Sequence, residues 1–150
     1  MKRLSIFTAL FVYILANAPV TLAEFIKGED AYLNKDYLKA FREWEPVAER
    51  GYSLAQFNLG VLYEQGLGVQ QDYKAAVKWF SLAAQQGLDQ AQSELGRMYL
   101  KGLGVQQDYR AAVKWFSLAA EQGFAEGQSN LGTLYESGRG VVQNYKTAIK

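Results

Sequence analysis

The residue types that carry much of enzyme chemistry are missing from this chain. Of its 150 residues, none is histidine and none is cysteine. Metal sites built on imidazole or thiolate are therefore unavailable, as is His-dependent acid–base or nucleophilic catalysis. The carboxylates Glu43 and Glu45 lie on a polar stretch with no partner acid or base, and no Ser-x-x-Lys nucleophile motif occurs. The segments Gly66-Leu67-Gly68-Val69, Gly102-Leu103-Gly104-Val105 and Gly138-Arg139-Gly140-Val141 could suggest phosphate cradles. Such loops bind phosphate when they follow a strand and open a helix with a lysine at its start. Here a helical stretch precedes each one, so they read as turns. The sequence thus predicts no catalytic, cofactor-binding or metal-ligating residue and no cofactor.

The elements around those turns recur. Glycines at 51, 87 and 123 open copies of a 36-residue block, and the first two copies agree at 25 of 36 positions. Strict repetition at this period predicts stacked helical hairpins rather than a closed globular core. Helix A of the first copy is expected over Ser53–Gln65, with Ser53 and Gln56 as a capping box and Asp89 with Gln92 as a related pair. Ala125 leaves the third start less specified. Asp72, Asp108 and Asn144 are candidate N-caps of helix B. In helix B, Tyr73, Ala76, Val77, Phe80 and Ala84 form one apolar stripe, while Ala75, Trp79 and Leu82 form another beside it. A helix apolar on two flanks must touch helices on both sides, as stacking requires. Interior glycines at 60, 96 and 132 cost about 1 kcal/mol each relative to alanine, which predicts a backbone or aromatic ring over them; Tyr63, Tyr99 and Tyr135 are candidates. Those tyrosines, with Trp79 and Trp115, read as core aromatics.

Both ends of the chain differ from the repeats. Met1-Lys2-Arg3, the apolar run Leu4–Leu15 and the small-residue site Thr21-Leu22-Ala23 read as a signal peptide, residues 1–23, cut after Ala23. The mature chain would be periplasmic or secreted, with no stable membrane insertion. Its 14 basic and 15 acidic residues give a net charge of −1, which argues against a nucleic-acid partner. Residues 24–50 form a degenerate leading hairpin with a tighter turn, and Pro46 is expected to kink its second helix. Full repeats follow at 51–86 and 87–122, with a partial one at 123–150. In register, the next Trp-Phe pair would fall at 151 and 152, which reads either as a piece of a longer repeat protein or as a frayed last helix.

Ala55–Gly66, continued by Gly68-Val69, Asp72-Tyr73, Ala76, Trp79-Phe80, Ala83-Ala84 and Gly87, resembles the Sel1-like repeat signature. The leading hairpin resembles a tetratricopeptide unit. The resemblance implies an all-α fold, a right-handed α-solenoid of stacked antiparallel helix pairs with helix A on the concave side. It also implies a non-enzymatic protein–protein interaction role as adaptor, regulator or scaffold. Cysteine-rich relatives are linked to penicillin binding or β-lactamase activity, but this chain lacks their paired cysteines. A structural spacer in a larger assembly is a third reading. The first two copies differ at 11 positions, nine of them between Tyr52 and Gln65, so individuality lies in helix A.

Carried over from the repeat's inward-facing offsets, the groove for a protein or peptide partner comprises Leu54, Phe57, Val61, Glu64 and Gln65 in the first copy. The second copy supplies Gln90, Ser93, Arg97, Leu100 and Lys101, and the third Glu126, Ser129, Thr133, Glu136 and Ser137. This lining would be apolar at one end, basic in the middle and polar-acidic at the other. An extended peptide with an acidic residue opposite Arg97 and Lys101 is expected.

Overall fold

The computed structural model describes residues 22–140. Seven helices follow one another: α1 (Leu22–Leu33), α2 (Tyr37–Glu49), α3 (Ser53–Gln65), α4 (Tyr73–Gln85), α5 (Asp89–Lys101), α6 (Tyr109–Glu121) and α7 (Ala125–Ser137). There is no strand among the described residues. Each helix packs against its neighbours in sequence, so α1–α2, α3–α4 and α5–α6 are hairpins and α7 packs against α6. The A helices also meet one another: α5 touches α7, and Arg97 of α5 reaches Glu64 of α3. The second helix of the first hairpin continues through Pro46 to Glu49.

Helix B starts where the sequence places it. The Asp72 carboxylate accepts from the Lys74 and Ala75 amides, and Asp108 accepts from Arg110 and Ala111. Asp36 caps the leading helix by accepting from Lys39. Asn144 lies outside the described residues. Helix A starts differently. Its N-caps are Tyr52, Leu88 and Phe124, and none uses its side chain as a cap. The expected capping boxes do not form, because the glutamines are used elsewhere. Gln56 Nε2 donates to the Ala48 carbonyl (3.0 Å), at the end of the preceding hairpin, and Gln86 Nε2 donates to Gln56 Oε1 (2.7 Å). The next unit repeats this: Gln92 donates to Ala84 (3.2 Å) and Gln122 to Gln92 (2.8 Å). Gln128 then donates to Ala120 (3.4 Å). Each buried amide of Gln56 and Gln92 ties three consecutive helices, and α3, α5 and α7 begin in the same register whatever residue comes first.

The interior glycines are explained by rings, but not by the expected ones. A Cβ on Gly96 would sit 2.8 Å from the Phe116 ring, and one on Gly60 would strike Phe80. Trp44 fills the same place over Gly28, and its indole N–H donates to the Phe25 carbonyl (3.2 Å). The ring over each glycine therefore comes from helix B of the same hairpin, not from Tyr63 or Tyr99. Tyr63 instead meets Phe41 of the preceding hairpin edge-on, with centroids 5.6 Å apart. Trp79 and Trp115 are half-buried against the cores of α1–α3 and α4–α5. Gly68 and Gly104 hold φ near +70°, and their α-carbons press on the backbone of Tyr37 and Tyr73 in the preceding hairpin. That close approach leaves no room for a side chain.

Candidate functional site

The fifteen expected groove residues do not form one continuous lining. The N-terminal group comes closest. Phe57 and Val61 of α3, with Asn58, face Glu29, Tyr32 and Leu33 of α1 across a cleft of about 290 Å³ floored by Trp44. Leu33 is 78% exposed and Leu54, one turn before Phe57, is 38% exposed, so apolar surface continues out of the cleft. The cleft exists because α1 and α3 are successive A helices, and Phe57 lies against Phe80 with centroids 5.7 Å apart. Asn58 and residues 29, 32 and 33 are absent from the groove expected from the sequence. The three on α1 become visible once Gly28 is aligned with Gly60, which places Glu29, Tyr32 and Leu33 level with Val61, Glu64 and Gln65.

The middle of the face is not basic. Arg97 pairs with Glu94 on its own helix (2.6 Å) and with Glu64 on α3. The three side chains are 20%, 25% and 16% exposed, so the cluster is largely covered and carries net negative charge. Burial alone would lower the Arg97 pKa, but its bonds to Glu64 and Glu94 outweigh that and hold it above its ordinary value. Glu94 is pushed above its ordinary 4.5, first by burial and then by Glu64 and Glu126; Arg97 offsets only part of this. The expected acidic residue opposite Arg97 therefore has no free cation to meet, and Lys101 alone remains exposed there.

Ser93 does not line the groove. It is 1% exposed, and its hydroxyl finds no hydrogen-bond partner. Leu100 packs half-buried against Ala112, Phe116 and Leu134 in the core between α6 and α7. Gln65, Gln90 and Lys101 are exposed, as are Glu126, Ser129, Thr133, Glu136 and Ser137 on α7. The Thr133 and Ser137 hydroxyls turn back to their own helix, donating to the Ser129 and Thr133 carbonyls (3.1 and 2.9 Å). A hollow of about 770 Å³ beside Gly132 is bordered by Ser129, Thr133 and Glu136. Among the described residues nothing lies within 4 Å of where a Cβ on Gly132 would sit, whereas Phe80 and Phe116 cover Gly60 and Gly96.

No group of three or more His, Cys, Asp or Glu residues among the described residues could hold a metal ion. No described helix is long and apolar enough to cross a membrane. Glu43 shares a shallow cleft with Glu24, Lys27 and Arg50, in which Arg50 pairs with Glu24 (2.7 Å).

Stacked helix pairs at a 36-residue period define an α-solenoid. The Sel1 repeat family model matches residues 53–88, 89–124 and 125–150, and the chain belongs to that family. Among solved structures it is similar to one titled "c5321: a protective antigen present in uropathogenic Escherichia coli strains displaying an SLR fold", with 39% identity and a TM-score of 0.78. That match covers 84% of this chain and 29% of the other. A Sel1 repeat protein from Oxalobacter formigenes is 36% identical with a TM-score of 0.78, covering 82% of this chain and 51% of that one. The chain thus spans about a third to a half of these neighbours' lengths. No curated protein matches it. Sel1 repeats generally mediate protein–protein interaction, and the fold is typically a non-catalytic scaffold.

Proposed function

We propose that this chain is an adaptor or scaffold module that docks a segment of a partner protein along its A helices. The observation that carries this reading is the cleft walled by Tyr32, Leu33, Phe57 and Val61, with exposed Leu54 nearby. Its size suits one large apolar side chain, which would act as the anchor of a peptide. Glu29 stands at its lip, and the Glu64–Arg97–Glu94 cluster beyond it is net negative. The preferred partner segment therefore carries Lys or Arg beside its anchor, the opposite sign from that expected from the sequence.

Panning a random peptide library on the whole chain tests this. Enriched peptides are expected to pair an aromatic or aliphatic residue with a nearby cation, and to lose at least tenfold affinity to a Leu33→Asp, Val61→Asp variant. A smaller loss is expected for Glu29→Lys. Binders indifferent to all three substitutions would defeat the groove reading.

Placement in the periplasm or outside the cell belongs to the same proposal. It rests on the basic start, the apolar run Leu4–Leu15 and the Thr21-Leu22-Ala23 site. N-terminal sequencing of protein recovered from producing cells is expected to begin at Glu24.

A further inference from the structure

From α3 onward charge is divided between the two sides of the stack, whereas α2 of the leading hairpin carries Lys39 and Arg42 against Glu43, Glu45 and Glu49. Helices α3, α5 and α7 carry Glu64, Asp89, Glu94, Glu126 and Glu136 against Arg97 and Lys101. Helices α4 and α6 carry Lys74, Lys78, Arg110 and Lys114 against Glu121 alone. Lys74 and Lys78 are four apart, as are Arg110 and Lys114, so each pair stands on one helical face. The pairs are also one repeat apart, and equivalent side chains do equivalent things: Lys78 Nζ lies 5.3 Å from the Trp79 ring centroid and Lys114 Nζ 5.6 Å from Trp115. All four cations are exposed, and none is in an ion pair among the described residues. Leu82, on the same helix as the first pair, is 38% exposed. Arg139, in the next turn, reaches the Tyr109 ring from the same end of α6.

We infer that this side of the solenoid is a peripheral docking surface for an anionic phospholipid bilayer. The complementarity is electrostatic: four exposed cations in a two-by-two array, without an ion pair among the described residues, stand beside half-exposed indoles. They outnumber Glu121 and the cap carboxylates of Asp72 and Asp108, which are turned to the helix amides. The clefts described above are lined by other residues, so the cations form a ridge rather than a cup around one discrete anion. A ridge of lysines flanked by amphipathic aromatic rings suits an extended, negatively charged surface whose boundary accepts both charge and indole. The surface opposes the partner-binding side, so membrane and protein partner could be held at once.

The test is sedimentation of the whole chain with vesicles of phosphatidylglycerol and phosphatidylcholine, at low and at physiological salt. Binding is expected to vesicles containing phosphatidylglycerol, to weaken with salt, and to be absent from pure phosphatidylcholine. Changing Lys74, Lys78, Arg110 and Lys114 to Gln should reduce partitioning by about several hundredfold, from roughly a factor of ten or less per cation at an anionic surface. These positions are exposed, and an unchanged melting temperature would show that the variant folds. A Lys27→Gln, Lys101→Gln variant removes cations from the other helices and should retain most of the binding. Three outcomes would overturn the inference: equal loss in both variants, equal binding to neutral vesicles, or binding to soluble polyphosphate with none to vesicles.

Discussion

Helix A and helix B of each unit are built to different standards. Helix B is nearly invariant between the first two copies, opens on an aspartate cap at Asp72 and Asp108, and drives Phe80 or Phe116 into a glycine notch on its partner. Helix A has no side-chain cap and changes at most of its outward positions. Its buried alanine, glutamine, leucine and glycine nevertheless recur at Ala55, Gln56, Leu59 and Gly60, and again at Ala91, Gln92, Leu95 and Gly96. Helix A is therefore constant at these notch positions, and its changes, apart from Phe57/Ser93 and Leu62/Met98, fall on partly or fully exposed positions. A scaffold can diversify its binding side without loosening its stack only if stability is concentrated in the shared notches.

The strongest way to break that contrast is to empty a notch. Phe80→Ala removes a fully buried ring from over Gly60 and should cost about 3–5 kcal/mol in urea unfolding. Leu54→Ala, on the exposed side of α3, should stay within about 0.5 kcal/mol of the parent. Comparable losses for both would mean that the variable face is structural after all. Next in size is Arg97→Met. It leaves Glu64 and Glu94 facing each other in a largely covered site, and should cost about 2 kcal/mol, less than a wholly buried pair because each group keeps some solvent.

Much of this fold could be read before any coordinates, because a repeat states each packing rule several times. The boundaries of α3 and α4, the aspartate caps and the need for a ring over Gly60 all follow from periodicity. Which ring it was did not follow. Choosing Phe80 over Tyr63 requires knowing that helix B of the same hairpin, not the next turn of helix A, crosses at Gly60. Gln56 was misread for a related reason. Its spacing from Ser53 fits a local cap, whereas its partners, Ala48 and Gln86, lie in the two flanking helices. Arg97 looked like a free cation because Glu64, its neutralising partner, is 33 residues away on another helix. Sequence spacing shows what shares a helix, while pairing across units appears only once the stack is assembled.

Ser93 offers a smaller test from the variable helix. It occupies the position of Phe57 in the preceding unit, yet it is buried with an orphaned hydroxyl. Ser93→Ala removes an unsatisfied polar group at almost no change in volume. It should stabilise the chain by about 1 kcal/mol, read as a higher urea midpoint with an unchanged slope. A destabilising result would mean that the hydroxyl has a partner after all.

Glu94 gives the subtlest test, through pH. Its carboxyl is held above 4.5 in the fold because burial, helped by Glu64 and Glu126, outweighs Arg97. The folded chain therefore binds this proton more tightly than the unfolded one. The resulting stability is complete below the unfolded value and is lost as pH rises through the folded one. Glu94→Gln keeps a polar group of the same size and abolishes the titration. Relative to the parent, the variant should gain stability as pH increases from about 4 to 7, by an amount well under that of the notch substitution. The sign is the informative part. Were Arg97 to outweigh burial, the carboxylate would be the favoured form and the difference would run the other way. A relative gain on raising the pH means that burial, with Glu64 and Glu126, outweighs the pull of Arg97 on this carboxyl.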